Sequence, residues 1–182
     1  KLAQSLGLDP SKKTILFAPT FYPSSLERFG MKLGEYTQNY NVILKPHMWT
    51  YFLDKFGEYN LVPQRNLAYD LAEKFSHIKL LGPEVYNITP YYKISDILIS
   101  DISSTIFEFL PLNRPIIQVE CLKLRLRHRI FNKRFKRKLD LDRMQELDFV
   151  YKVESPSELH RCIAFSSDHP EEMSSLRKEA HD

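Results

Sequence analysis

Cysteine, glycine and long apolar runs are all scarce in this 182-residue chain, and each scarcity closes off a class of protein. Its two cysteines, Cys121 and Cys162, are too few for a disulfide framework and match no metal-ligand spacing, which fits a reducing compartment. Only five glycines occur, and no low-complexity tract or internal repeat is present, which argues against disorder and against a repeat array. No run approaches the roughly 18 apolar residues that a membrane-spanning helix needs, and no signal-peptide pattern appears. The default expectation is therefore a soluble cytoplasmic domain. What is present supports a packed core: 43% of residues are apolar and 13% aromatic, in a chain long enough for one compact domain.

Acids are missing from one stretch in particular. Between Cys121 and Asp140 stand nine Lys or Arg and no Asp or Glu, while the remaining 17 bases of the chain face 23 acids. Residues 121–145 thus read as a basic insertion in an otherwise acidic domain. Leu122, Leu124 and Leu126 alternate as in a strand, whereas Phe131, Phe135 and Leu139 repeat every four residues as in a helix, so this is not one clean amphipathic helix. Arg125, Arg127, Arg129, Lys133, Arg134, Lys136 and Arg137 are candidates for contact with an anionic membrane surface, where each nearby base contributes about 1 kcal/mol. A polyanionic chain is a second candidate partner, and a solvated charged insertion is the plainer alternative. No nucleic-acid module accompanies the segment, so nucleic acid is not an expected partner.

Short β-type runs recur, each tied to a turn signal: TILFAPT (14–20), NVILKPH (41–47), HIKLLGP (77–83), DILISD (96–101) and PIIQVE (115–120), with a weaker DFVYKV (148–153). Segments with helical features follow at 25–40, 67–75, 87–93, 104–112 and 157–165, the last opened by SPSEL with a hydroxyl cap and Glu158 in its first turn. Strands alternating with helices imply βαβ units, and the continuous apolar character of ILF, VIL and ILI fits strands buried on both faces. The expected fold class is α/β, a Rossmann-like doubly wound parallel sheet over residues 14–182. Residues 1–13, KLAQSLGLDPSKK, read as the end of a preceding helix and a linker, and the chain is expected to be a piece of a longer protein.

In such sheets ligands lie beyond the carboxyl ends of the strands. That rule nominates Thr20, His47, the loop Gly82-Pro83-Glu84-Val85-Tyr86, residues Asp101 to Thr105, and Glu120 as the lining of one cleft. The stretch SDILISDISSTIFEFLPLNRPII (95–117) puts small hydroxyl and carboxyl side chains where a strand hands over to a helix. A helix amino terminus offers unpaired N–H groups and a positive dipole end, and Ser103, Ser104 and Thr105 can add donors to a phosphate. The alternative is a capping box of Thr105 with Glu108, which leaves Ser103 and Ser104 over. His47, preceded by Lys45 and Pro46, is placed to donate to a phosphate oxygen or to assist a leaving group, or is a structural hydrogen-bonding residue. Thr20 belongs to a turn that can seat a phosphate or an acceptor, and Glu108 can reach a ribose hydroxyl. No metal site is written.

Taken together, ILFAPTF, VILKPH and the stretch 95–117 resemble the nucleotide-binding half of the CDP-glycerol glycerophosphotransferase family, the teichoic acid primases and polymerases with a GT-B fold. The third stretch carries most of the resemblance: Asp-x-Leu-Ile-x-Asp-x-Ser-Ser, an aromatic-acidic pair in the helix, and Asn-Arg-Pro-Ile-Ile before the next strand. The likeness covers about residues 14–120 and weakens from Asp148 onward. It implies CDP-glycerol or a related CDP-polyol as donor, with its pyrophosphate on Ser103, Ser104, Lys45, Thr20 and Asp101. Gly82, Pro83, Tyr86 and Glu108 would hold the nucleotide, and His47 would act in catalysis on the departing phosphate. The implied reaction is attack of an acceptor hydroxyl on the β-phosphorus, with CMP leaving and no cofactor. The acceptor would be an anionic, teichoic acid-like polymer at the inner face of the cell membrane, and the base that activates it would lie in the other half of the enzyme. Two further readings stay open on the same residues: a GT-B glycosyltransferase using a nucleotide sugar, and a non-catalytic module that binds membrane or polyanion.

Overall fold

The structure is a computed structural model that describes residues 1–101, 103–123 and 147–181. In chain order its elements are α1 (Leu2–Ser5), β1 (Thr14–Ala18), α2 (Leu26–Phe29), α3 (Lys32–Tyr36), β2 (Asn41–Leu44), α4 (Trp49–Phe52), β3 (Lys55–Phe56), β4 (Tyr59–Asn60) and α5 (Val62–Lys74). Then follow β5 (Ile78–Leu80), α6 (Thr89–Lys93), β6 (Ile97–Ser100), α7 (Thr105–Phe109), β7 (Ile116–Val119), β8 (Tyr151–Val153), α8 (Leu159–Asp168) and α9 (Ser174–His181).

Six strands form one parallel sheet in the order β5-β2-β1-β6-β7-β8. The order reverses between β1 and β6, where Ala18 lies opposite Ser100, and that reversal is the topological switch point of a doubly wound sheet. The four inner strands are buried at every position, whereas the edge strands β5 and β8 are not. Alternation sorts their side chains into two layers: Ile15, Phe17, Val42 and Leu44 meet Leu26, Phe29, Leu33 and Leu71 on one face, while Leu16, Ile43, Leu98 and Ile116 meet Ile106 and Phe109 on the other. The expected doubly wound parallel sheet is therefore the observed one.

Several helices differ from the expected spans. The segment 25–40 is two short helices, because Gly30 at φ 55 breaks the backbone path between α2 and α3. Helix α5 begins at Val62, five residues before the expected start, with Pro63 tolerated in its first turn. After Phe109 the chain tightens into a 3-10 turn over Leu110–Leu112 and stops at Asn113, whose φ is 50. The hairpin β3–β4, turned at Gly57 with φ 58, was not legible in the strand pattern. Residues 9–12 are tied to the start of β2: Asn41 accepts from the Asp9 N–H at 2.9 Å and donates to the carbonyls of Asp9 and Lys12.

Candidate functional site

The carboxyl ends of β1 and β6 are joined by one side chain. Asp101, fully buried, accepts from the Thr20 N–H at 2.6 Å through Oδ1, and from the Ser25 N–H at 2.9 Å and the Ser25 hydroxyl at 2.8 Å through Oδ2. Burial pushes its carboxyl up to about 6, while those hydrogen bonds pull the other way. Its oxygens are spent on the turn 20–25, so Asp101 shapes the site from behind. Gln64, also fully buried, closes the same turn by donating to the Thr20 carbonyl and to Ser24 Oγ, each at 3.1 Å.

His47 stands exposed just past β2. Its Nδ1 accepts from the Trp49 N–H at 3.2 Å, which in the neutral ring puts the proton on Nε2. Phe21 lies against the imidazole with ring centroids 4.9 Å apart, and Trp49 and Phe56 complete an aromatic group around it. Lost hydration, and then the Lys45 cation, hold the imidazole below its usual pKa and so favour the neutral ring. Lys45 itself is buried, donates to the Pro46 carbonyl at 3.3 Å and lies 5.8 Å from the centre of the Tyr51 ring. Burial lowers its pKa and the Glu84 carboxylate opposes that.

The serine turn does not form the capping box. Thr105 is already the first residue of α7 and Ser104 occupies the cap position, so the expected register is off by one. Thr105 Oγ1 donates to Ser103 Oγ at 3.1 Å and lies 2.9 Å from Ser100 Oγ, and the Thr105 N–H also reaches Ser103 Oγ at 3.3 Å. Glu108 turns outward and accepts from Ser104 Oγ at 3.0 Å and from the Tyr92 hydroxyl at 2.9 Å. That carboxylate adds to burial in raising the Tyr92 pKa. Ser103 Oγ is thus an acceptor inside the turn with its own proton left to give, while the Ser104 proton is directed at Glu108.

On the β5 side, Gly82 and Pro83 are half-buried and Tyr86 is 71% exposed. A Cβ on Gly82 would meet the end of the flexible Glu84 side chain, which lies over the glycine. Lys123 bridges to Ser24 through its backbone and pairs with Glu27 at 2.8 Å. Arg125, Arg127, Arg129, Lys133, Arg134, Lys136 and Arg137 lie outside the described residues. Among the described residues no helix is long and apolar enough to cross a membrane, and no group of three His, Cys, Asp or Glu is placed to hold a metal. Burial raises both thiols, Cys121 and Cys162, to about 11, which marks them as unreactive. Sequence reasoning missed Ser24, Ser25, Gln64, Phe21, Trp49 and Phe56; the run Phe-Tyr-Pro-Ser-Ser after APT was the only signal available.

A parallel sheet in this order, with hydrogen-bonding groups gathered at its switch point, defines a Rossmann-like domain of the kind that forms one half of GT-B enzymes. The family model for CDP-glycerol:poly(glycerophosphate) glycerophosphotransferase matches residues 1–121, and the chain belongs to that family. The teichoic acid poly(glycerol phosphate) polymerase of Bacillus spizizenii is 33% identical over 128 residues, which is 64% of this chain and 28% of that protein. Its counterpart in Bacillus subtilis is 31% identical over 123 residues, 62% of this chain and 14% of that protein. The chain thus spans well under a third of either relative. A variant of the wall teichoic acid polymerase TagF superposes with a TM-score of 0.64 at 17% identity, over 98% of this chain and 41% of that one. The C-terminal CMP-Kdo binding domain of WaaA from Acinetobacter baumannii superposes with a TM-score of 0.57 at 14% identity, over 99% and 92%. Likeness at these identities bears on the fold alone.

Proposed function

We propose that this domain binds the nucleotide-diphosphate donor of a glycerophosphotransferase, CDP-glycerol or a related CDP-polyol, for transfer to a hydroxyl of a teichoic acid-like polymer. The observation that carries the reading is that, in a chain of this family, Thr20, His47 and Ser103 stand at the carboxyl ends of three adjacent strands, β1, β2 and β6. The donor pyrophosphate lies at the switch point, with the Ser103 hydroxyl and the His47 Nε2–H donating to its oxygens. The acceptor oxygen bonds to the β-phosphorus as the bond to the CMP oxygen breaks, and the acceptor proton passes to a base in the other half of the enzyme. Charge then collects on phosphate oxygens, where fixed donors stabilise it more than they stabilise the bound donor. Gly82, Pro83 and Tyr86 hold the nucleotide, and the basic residues from Arg125 to Arg137 bring the domain to an anionic membrane surface.

Calorimetric titration with CDP-glycerol, CDP-ribitol and UDP-sugars tests the reading. Binding of the CDP compounds is expected, and substitution of His47→Ala should weaken it about 10- to 100-fold, the loss of one hydrogen bond to a charged group. Binding of UDP-sugars with no response to either CDP compound would instead make the domain part of a nucleotide-sugar transferase. Salt-sensitive flotation with anionic liposomes, lost when Lys133, Arg134, Lys136 and Arg137 become Ser, is expected for the membrane contact.

A further inference from the structure

The turn 20–25 is tied at both ends to one carboxylate. Asp101 Oδ1 takes the Thr20 N–H, and Oδ2 takes the Ser25 N–H and hydroxyl. Between those anchors sits Phe21, whose ring meets His47 at 4.9 Å, Trp49 at 4.7 Å and Phe56 at 4.8 Å between centroids. The imidazole is also held at Nδ1 by the Trp49 N–H. Phe21 therefore supplies the lateral contact that completes the setting of Nε2, and Asp101 supplies the setting of Phe21. A carboxylate suits this task because its two oxygens can span the turn and accept three donors, whereas an amide offers one oxygen and would turn an N–H toward an N–H.

Resting on the donor-site reading above, we propose that Asp101 is a positioning residue that acts on His47 through the Thr20–Ser25 turn and the Phe21 ring. It makes no contact with the donor. The claim is distinct from a general structural role because it predicts the direction in which His47 titrates. With its carboxyl at about 6, Asp101 is only partly ionised where His47 titrates, and removing that partial charge by Asp101→Asn would, through electrostatics alone, lower the His47 pKa. Releasing Phe21 would instead rehydrate the imidazole and raise its pKa toward 6.5, the ordinary value from which burial now depresses it.

The test uses the protein without nucleotide first. His47 is titrated by NMR, and acrylamide quenching is measured for Trp49, the sole tryptophan, in the wild type, D101N, F21A and the double variant. The expected result is a raised His47 pKa and stronger Trp49 quenching in each single variant, with no further change in the double variant because both substitutions cut the same path. A lowered or unchanged His47 pKa in D101N, or effects of the two substitutions that simply add, would overturn the proposal. If D101N does not fold, Ser25→Ala removes one of the three donors and should move both signals the same way to a smaller extent; no movement would count against the proposal equally. CDP-glycerol affinity is then read, with a loss of about tenfold expected in D101N and F21A alike. Failure of the wild type to bind CDP-glycerol would sink the donor-site reading alone, since the His47 and Trp49 signals decide the relay without it.

Discussion

Replacing Asp101 by Asn also tests which of two opposed forces governs the switch point. Complete burial disfavours the ionised carboxylate, and hydrogen bonds from Thr20 and Ser25 favour it; burial is the larger, leaving the carboxyl at about 6. In the unfolded chain the same group returns to its ordinary value near 3.8. Between those values the native state binds a proton that the unfolded state does not, so stability falls as pH rises through that window. Lifting the carboxyl from 3.8 to about 6 corresponds to about 3 kcal/mol. The measurement is urea unfolding of wild type and D101N across the range from about pH 4 to about pH 7. His47 and His77 have depressed pKa values, and what they contribute is lost as pH falls; His77 cancels in the difference between the chains, whereas His47, released toward its ordinary pKa in D101N, works against the carboxyl and makes the fall smaller. The stability of wild type relative to D101N should fall by up to about 3 kcal/mol as pH rises through the window. A difference that rises with pH would show that the three hydrogen bonds outweigh desolvation and that the reasoning has the balance reversed.

Two further predictions concern other parts of the chain. Ser103→Ala should weaken CDP-glycerol binding more than Ser104→Ala does, because the Ser104 proton is committed to Glu108; equal losses by calorimetry would refute that assignment of the protons. A Cβ on Gly34 would overlap the Phe75 ring, so Gly34→Ala should destabilise by about 1–3 kcal/mol from overpacking, less up to about 1 kcal/mol gained in helix propensity. Thermal unfolding measures that loss, and donor affinity should not change.

The sheet was legible because its inner strands are buried on both faces and so appear as short unbroken apolar runs, ILF, VIL and ILI, each closed by a turn signal. Helix boundaries were less so. Gly30 reads in sequence as one residue in a helical segment, and only its φ of 55 shows that it divides that segment. The cleft was legible as a set of strand ends but not as a network. Asp101 stood out in the motif, yet its partners Thr20 and Ser25 lie more than 75 residues away along the chain, and no local pattern announces such a pairing. The capping-box expectation failed by one residue because Ser103, Ser104 and Thr105 are all competent caps. In the structure Ser104 takes the cap position and Thr105 lies beside Ser100, at the end of β6.

On the proposed reading, the state of His47 has a consequence for how the site would meet phosphate. A neutral imidazole whose Nδ1 accepts from the Trp49 N–H can donate only through Nε2, so its hydrogen bond has a fixed direction. Protonation would gain a charge attractive to a pyrophosphate, but it would also set an Nδ1–H against the Trp49 N–H and remove the bond that orients the ring. Lost hydration beside the aromatic group, and then the Lys45 cation, work against that by holding the imidazole pKa down. The same arrangement leaves Lys45 buried, with its charge acting on His47 while its ammonium bonds to the Pro46 carbonyl. On the proposed reading, this half of the enzyme therefore meets the donor with oriented neutral donors, His47 Nε2–H and the Ser103 hydroxyl, backed by a buried cation. Donors of that kind need little reorganisation as charge develops on the leaving CMP, and the Phe21 turn, tied to Asp101 at Thr20 and Ser25, stands against the His47 ring.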